Sequence, residues 1–125
     1  MRKPQILITG AAGQVGQELL YLAAEFPQFQ LLGSDRNELD ITNEGAVQDL
    51  FDDNDIDFCI NCAAYTAVDK AENETEKASQ INIEGPRHLA KACQNKQIPF
   101  IHLSTDYVYH GNSPRPIKED APTSP

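Results

Sequence analysis

The sequence has no tryptophan, one methionine and three cysteines, and it is short of basic residues: ten lysines and arginines against nineteen acids, a net charge of −9. Each shortage excludes something. An acidic surplus offers no basic footprint for a phosphate backbone, so no nucleic-acid partner is expected. It disfavours anionic membrane surfaces for the same reason. No apolar run is long enough to span a bilayer, and the chain opens on a strand pattern rather than a signal-peptide layout. A cytoplasmic location with reduced thiols is therefore expected. Cys59 and Cys62 have the spacing of a redox or zinc pair, but they fall in an apolar run that reads as a buried strand, so core filling is the expected role. None of His88, His102 and His110 has a partner at ligand spacing, and no metal site is expected. His102 reads as a packed, hydrogen-bonded core residue within a strand. The sequence also lacks a Gly-x-Ser-x-Gly elbow and a Gly-Lys-Ser/Thr phosphate loop, which argues against hydrolase and kinase readings.

What is present is an alternation of strand and helix patterns. The 125 residues, 40% hydrophobic and 23% charged, suit one globular domain spanning residues 1–125. Strand patterns occur at Gln5–Thr9, Phe29–Gly33, Asp57–Cys62 and Pro99–Ser104. Phe58, Cys59 and Ile60 are nearly all apolar, as in a strand covered on both faces. Helical spacing runs from Gly13 to about Phe26. It returns at Val47, Leu50 and Phe51 behind a cap at Thr42 or Asn43, and again from about Val68 to Asn95, where Pro86 should kink or restart the helix. Such alternation implies crossovers and an α/β doubly wound parallel sheet. Half of the eight prolines lie from Pro114 onward, so residues 113–125 read as an extended tail. A domain seldom ends on such a loop, and the chain is expected to be cut before its last strands.

The segment Gly10-Ala11-Ala12-Gly13-Gln14-Val15-Gly16 follows the first strand and opens the first helix. A bound diphosphate needs a tight turn, a backbone without Cβ in its way and helix N–H groups aimed at the anion. Gly10 would make the turn, Gly13 would admit the pyrophosphate, and Gly16 would let the helix pack closely. An ordinary strand-to-helix loop is the competing reading. Asp35 ends the second strand about 20 residues further on, where an acid can accept from a ribose hydroxyl. Arg36 beside it can instead pair with a ribose phosphate. The two point to different cofactors, and the choice stays open. Small residues at Ala63 and Ala64, after the third strand, suit close approach of a ligand. Ser104-Thr105-Asp106-Tyr107 ends the fourth strand. There a hydroxyl can polarise a carbonyl, or the segment is simply a Ser/Thr turn. Asp69, Glu72, Glu74 and Glu76 read as a solvated helix start.

Together these pieces resemble the extended short-chain dehydrogenase/reductases. Leu39-Asp40-Ile41-Thr42, the segment from Asn61 to Glu72 (NCAAYTAVDKAE) and Ser104-Thr105-Asp106-Tyr107-Val108-Tyr109 are similar to the dTDP-4-dehydrorhamnose reductase family. The resemblance implies a Rossmann fold and NADPH or NADH as cofactor, with Gly10, Gly13, Gln14, Val15 and Gly16 at the pyrophosphate. It puts Asp35 at the adenosine ribose, Asp40 and Ile41 at the adenine, and Ala63, Ala64, Tyr65 and the Leu103 backbone at the nicotinamide side. It makes Thr105 the catalytic hydrogen-bond partner of the sugar carbonyl and sets Asp106 in the substrate pocket, with Asn82 supporting the site. The implied partner is a dTDP-linked nucleotide sugar whose C4 ketone is reduced. A homodimer is open for the full-length protein.

One feature of that family is missing. Its proton donor is the tyrosine of Tyr-x-x-x-Lys, whereas the fourth residues after Tyr21, Tyr65, Tyr107 and Tyr109 are Glu25, Asp69, Gly111 and Ser113. The chain is therefore expected to lack its general acid and its substrate domain, and to be inactive alone. Two further resemblances stay open: the NADP-binding regulatory subunit of methionine adenosyltransferase, and a nucleotide-sugar epimerase or dehydratase.

Overall fold

The structure, a computed structural model, describes residues 1–112 and 114–124, with Val68 and Asp69 described by their backbone only. The tail reading at Ser113 and Pro125, and the Asp69 side chain of the acidic group, lie outside the described residues. Four strands, β1 (Gln5–Thr9), β2 (Gln30–Ser34), β3 (Phe58–Asn61) and β4 (Phe100–His102), form one sheet in the order β2-β1-β3-β4. All three pairings are parallel, with Leu7 opposite Leu32 and Cys59, and Asn61 opposite His102. The chain steps outward from β1 to β2, then crosses back to β3 and β4. The direction of winding reverses between β1 and β3, where the carboxyl ends of the two strands leave a crevice. This is the doubly wound α/β architecture that the alternating pattern implies.

The strand period of two sorts the sheet residues onto two faces. Leu7, Leu32 and Cys59 face α2 (Glu44–Asp53) and α5 (Gly85–Lys96). There they pack with Val47 and Phe51 one helical turn apart, and with Leu89, Ala92 and Cys93 at the same spacing on α5. Phe51 is 2% exposed, a burial that contributes about 1.5–3 kcal/mol. Asn43 caps α2 by accepting from the Ala46 N–H at 3.0 Å. The opposite face receives α1 (Gln14–Tyr21), whose Leu20 lies over Gly33, 3.0 Å from where a Cβ would stand. A 3-10 turn at Leu22–Ala24 finishes that helix before Pro27. No helix among the described residues is long and apolar enough to cross a membrane.

Two expectations need correction and one is refined. The helical stretch from about Val68 to Asn95 does restart at Pro86, and ahead of that restart it is divided into α3 (Val68–Ala71), α4 (Thr75–Ser79) and a π-helical turn at Gln80–Glu84, after which α5 begins. Pro86 sits in the first turn of α5; it has no N–H to bond back, and the turn before it widens by one residue to take up the mismatch. Phe58 is not covered on both faces: α1 spans only the β1–β2 side, so Phe58 and Ile101 stay exposed at 38% and 54%. His102 is not a core residue either. It is exposed on the edge strand β4, with its ring stacked on Phe100 and its Nδ1 bonded to Asn61.

Candidate functional site

Gly10 leaves β1 with φ at +67°, a conformation that side chains with a Cβ rarely adopt. A Cβ there would also meet the Ala63 nitrogen at 2.5 Å and the Cys62 carbonyl carbon at 2.6 Å. The Gly13 N–H closes the turn on the Gly10 carbonyl at 3.0 Å. Gly13 is the N-cap of α1 and supplies no side-chain cap, and the first turn of that helix carries no acid. A Cβ on Gly13 would meet only the Gly10 oxygen, at 3.3 Å, whereas one on Gly16 would stand 2.4 Å from the same atom. Gly16 therefore serves the close packing of helix on turn. Gly13 leaves the helix N-terminus open, an arrangement that suits an anion.

In front of this turn lies a cleft of about 520 Å³. It gathers Gly10, Gly13, Asp35, Asp40, Ile41, Ala63, Ala64 and Tyr65 from the residues singled out in the sequence. Arg36 lines it as well. Asp35 accepts the N–H groups of Asn37 at 2.8 Å and Glu38 at 3.1 Å, both through Oδ1. Asp40 accepts the Thr42 hydroxyl at 2.7 Å and the Thr42 N–H at 3.0 Å. These bonds, the hydroxyl's first, hold its carboxyl below the usual carboxylate range, with the Arg36 charge adding to them. Ile41 is buried, and its carbonyl oxygen accepts from His88 Nδ1 at 2.9 Å, which puts the His88 proton on Nδ1.

Tyr65 is held from two sides. Its N–H donates to Asn82 Oδ1 at 2.7 Å, and Asn82 Nδ2 donates to its carbonyl at 3.3 Å. Asn82 lies in the π-helical turn, so the widened turn aims this clamp at the cleft. The Tyr65 hydroxyl donates to Glu74, and that bond pushes the phenol up from its ordinary value. Lys77 lies over the ring at 5.7 Å and 3.9 Å from the Glu74 carboxylate. Glu74 is thus a tether for Tyr65 rather than only part of a solvated acidic start. Beneath the cleft, Asn61 Oδ1 accepts the Thr9 hydroxyl at 2.6 Å and the Ala63 N–H at 3.1 Å.

Other sequence candidates lie outside the cleft lining. Gln14 and Val15 are exposed in the first turn of α1, and Gly16 is buried behind them. The Leu103 N–H donates to the Asn61 carbonyl at 3.4 Å while its side chain is exposed. Thr105 and Asp106 are exposed beyond β4; the Thr105 hydroxyl caps a 3-10 turn at Asp106–Val108 by accepting the Tyr107 N–H at 3.2 Å. That is the Ser/Thr turn weighed from the sequence. The described tail carries no helix or strand. It is tied down by Ser124 donating to the Val108 carbonyl at 2.7 Å and Tyr109 donating to Glu119 at 2.9 Å. Cys62 and Thr66, in the segment after the third strand, line the cleft with Ala63 and Ala64, whereas sequence reasoning did not place Lys77, Gln80 or Ile81 there, yet all three line it. Only the restart at Pro86 hinted that α4 and the turn after it leave the regular helical path.

Comparison with known proteins agrees with this geometry. The profile of the family described as RmlD substrate binding domain matches residues 4–125. A dTDP-4-dehydrorhamnose reductase of Streptomyces griseus is 44% identical over 124 residues, covering 98% of this chain and 40% of the relative. The crystal structure of a dTDP-4-dehydrorhamnose reductase from Clostridium acetobutylicum superposes with a TM-score of 0.92 at 40% identity, over 97% of this chain and 43% of that one. The Bacillus anthracis dTDP-4-dehydrorhamnose reductase in complex with NADP gives a TM-score of 0.94 at 36% identity, over 100% of this chain and 44% of that one. The chain thus spans about 40% of the length of the curated relatives it matches. It belongs to the RmlD substrate binding domain family, the family of the dTDP-4-dehydrorhamnose reductases.

Proposed function

We propose that this chain holds NADPH or NADH in the cleft between β1 and β3, as the cofactor-binding part of a nucleotide-sugar reductase. The reaction proposed for the longer protein is reduction of the C4 ketone of dTDP-4-dehydro-L-rhamnose to dTDP-L-rhamnose. The observation that carries the reading is the contact of Gly10 with Ala63, which sets an open helix N-terminus at the point where the sheet reverses. A relative of 36% identity was solved with NADP, and that supports the choice of cofactor.

The residues fit such a group. Gly13 leaves space where a Cβ would narrow the cradle, Asp35 can accept from a ribose hydroxyl, and Arg36 stands ready for a phosphate. When bound, the reduced nicotinamide supplies the hydride. Ala63, Ala64 and the clamped Tyr65 would border the reacting end, with Thr105 as hydrogen-bond donor to the sugar carbonyl and Asp106 facing the sugar. Donation to the developing alkoxide lowers the barrier because the charge appears only in the transition state. No tyrosine of this sequence has a lysine four residues on. Proton donation is therefore assigned outside these 125 residues, and the chain alone is expected to bind without turnover.

The test is the longer protein given dTDP-4-dehydro-L-rhamnose and NADPH. Loss of NADPH absorbance with formation of the 4-hydroxy sugar is expected. A complete protein that turns over no 4-keto nucleotide sugar would overturn the proposal.

A further inference from the structure

We infer that His102 is a positioning residue for the dinucleotide cleft and acts through the Asn61 amide. The inference rests on the cofactor reading above and names a residue outside the cleft lining. Asn61 is 1% exposed at the end of β3. Its amide orientation is fixed by chemistry: the Ala63 N–H can only donate, so the atom 3.1 Å from it is the oxygen. The Asn61 nitrogen therefore faces His102 Nδ1 at 3.0 Å. Nδ1 must accept, which places the ring proton of neutral His102 on Nε2.

This amide joins three strand ends. Its oxygen holds the Thr9 hydroxyl, one residue before Gly10, and the Ala63 N–H, the group that Gly10 approaches most closely. Those two backbones are the floor of the cleft. The His102 ring is stacked on Phe100, with centroids 6.2 Å apart and planes 20° from parallel, so its lone pair is presented from a braced position. Without that acceptor the buried Asn61 nitrogen loses its partner and the amide is free to turn, releasing Ala63 and Thr9. A buried donor left without an acceptor is costly enough to drive such a rearrangement.

The test compares NADPH affinity, read from cofactor fluorescence, in the wild type, His102→Phe and His102→Asn. Phenylalanine keeps a ring in place and shuts water from the Asn61 nitrogen while offering no acceptor. Asparagine can put an oxygen near the Nδ1 position. His102→Phe is expected to bind about tenfold more weakly, with its circular dichroism still native, while His102→Asn recovers affinity to within about threefold. Equal affinities in all three overturn the role of His102 and leave the cofactor reading intact. A wild type that binds no NADPH overturns the cofactor reading and this inference with it. Should His102→Phe not fold, nitrogen NMR of the wild-type ring decides: an Nε2–H tautomer supports the arrangement, and an Nδ1–H tautomer overturns it.

Discussion

The amide nitrogen of Ala63 lies 2.5 Å from the position a Cβ would take on Gly10. The turn that leaves β1 and the turn that leaves β3 thus meet backbone to backbone, and only glycine permits it. Two strands adjacent in the sheet are held together at the point where their helices diverge to opposite faces. The cleft is a product of that divergence, and its floor is this contact.

Gly10→Ala should therefore be severe. The positive φ alone costs about 1–2 kcal/mol, and the approach to Ala63 adds a clash that neither backbone can relieve without moving. Urea unfolding should show a lower midpoint, with NADPH binding lost. An unchanged midpoint would mean that the two turns are not in contact.

Asn82→Ala removes the clamp on Tyr65 while leaving two exposed backbone groups that water can satisfy. The loss of stability is expected to stay near about 1 kcal/mol, the net worth of such bonds. Loss of NADPH affinity should be larger than that change implies, because the Tyr65 segment borders the cleft. Thermal unfolding and a binding titration on the same variant separate the two effects.

The three cysteines should react unequally. Cys59 and Cys93 are buried in the core, and the hydrogen bond with Cys93, with burial second, pushes the Cys59 thiol up. Cys62 is half-buried, its thiol also raised by burial, and it lines the cleft. With N-ethylmaleimide at neutral pH, mass spectrometry should find Cys62 modified first, more slowly than a free thiol, with Cys59 untouched. Saturating NADPH should protect Cys62.

Acid should weaken one specific tie. The Asp57 carboxylate accepts from Arg2 at 2.6 Å and from the Gln5 N–H at 2.7 Å, and these bonds hold its carboxyl below the usual range. A depressed folded-state value means that the contribution is present above the unfolded carboxylate value and fades as pH falls through the folded one. Urea midpoints of wild type and Asp57→Asn should differ at neutral pH and converge in acid. A gap that persists in acid would assign the difference to something other than this charge.

The parts of the site that are legible in the sequence are those encoded locally. Glycine spacing at Gly10, Gly13 and Gly16 carries both a backbone conformation and a close approach, and Asp35 follows at the end of the next strand. The Asn61–His102 bond is not legible, because it exists only once β3 and β4 pair in a register that sets those two residues opposite each other. The placement of Gln80 and Ile81 escapes for a related reason: both lie in the π-helical turn, and apolar periodicity assumes a regular helix, while Lys77 reaches the cleft from the short helix α4 just before it. The fold class is legible throughout, since alternating strand and helix patterns leave few arrangements other than parallel crossovers.

The most direct measurement is an amide-resolved NMR titration of the labelled chain with NADPH. Saturable shifts are expected at Gly10 to Gly16, at Asp35 and Asp40, and at Ala63 to Tyr65, with the far end of the sheet around Arg2 and Asp57 unmoved. No saturable shift, or shifts confined to that far end, would contradict a dinucleotide site between β1 and β3.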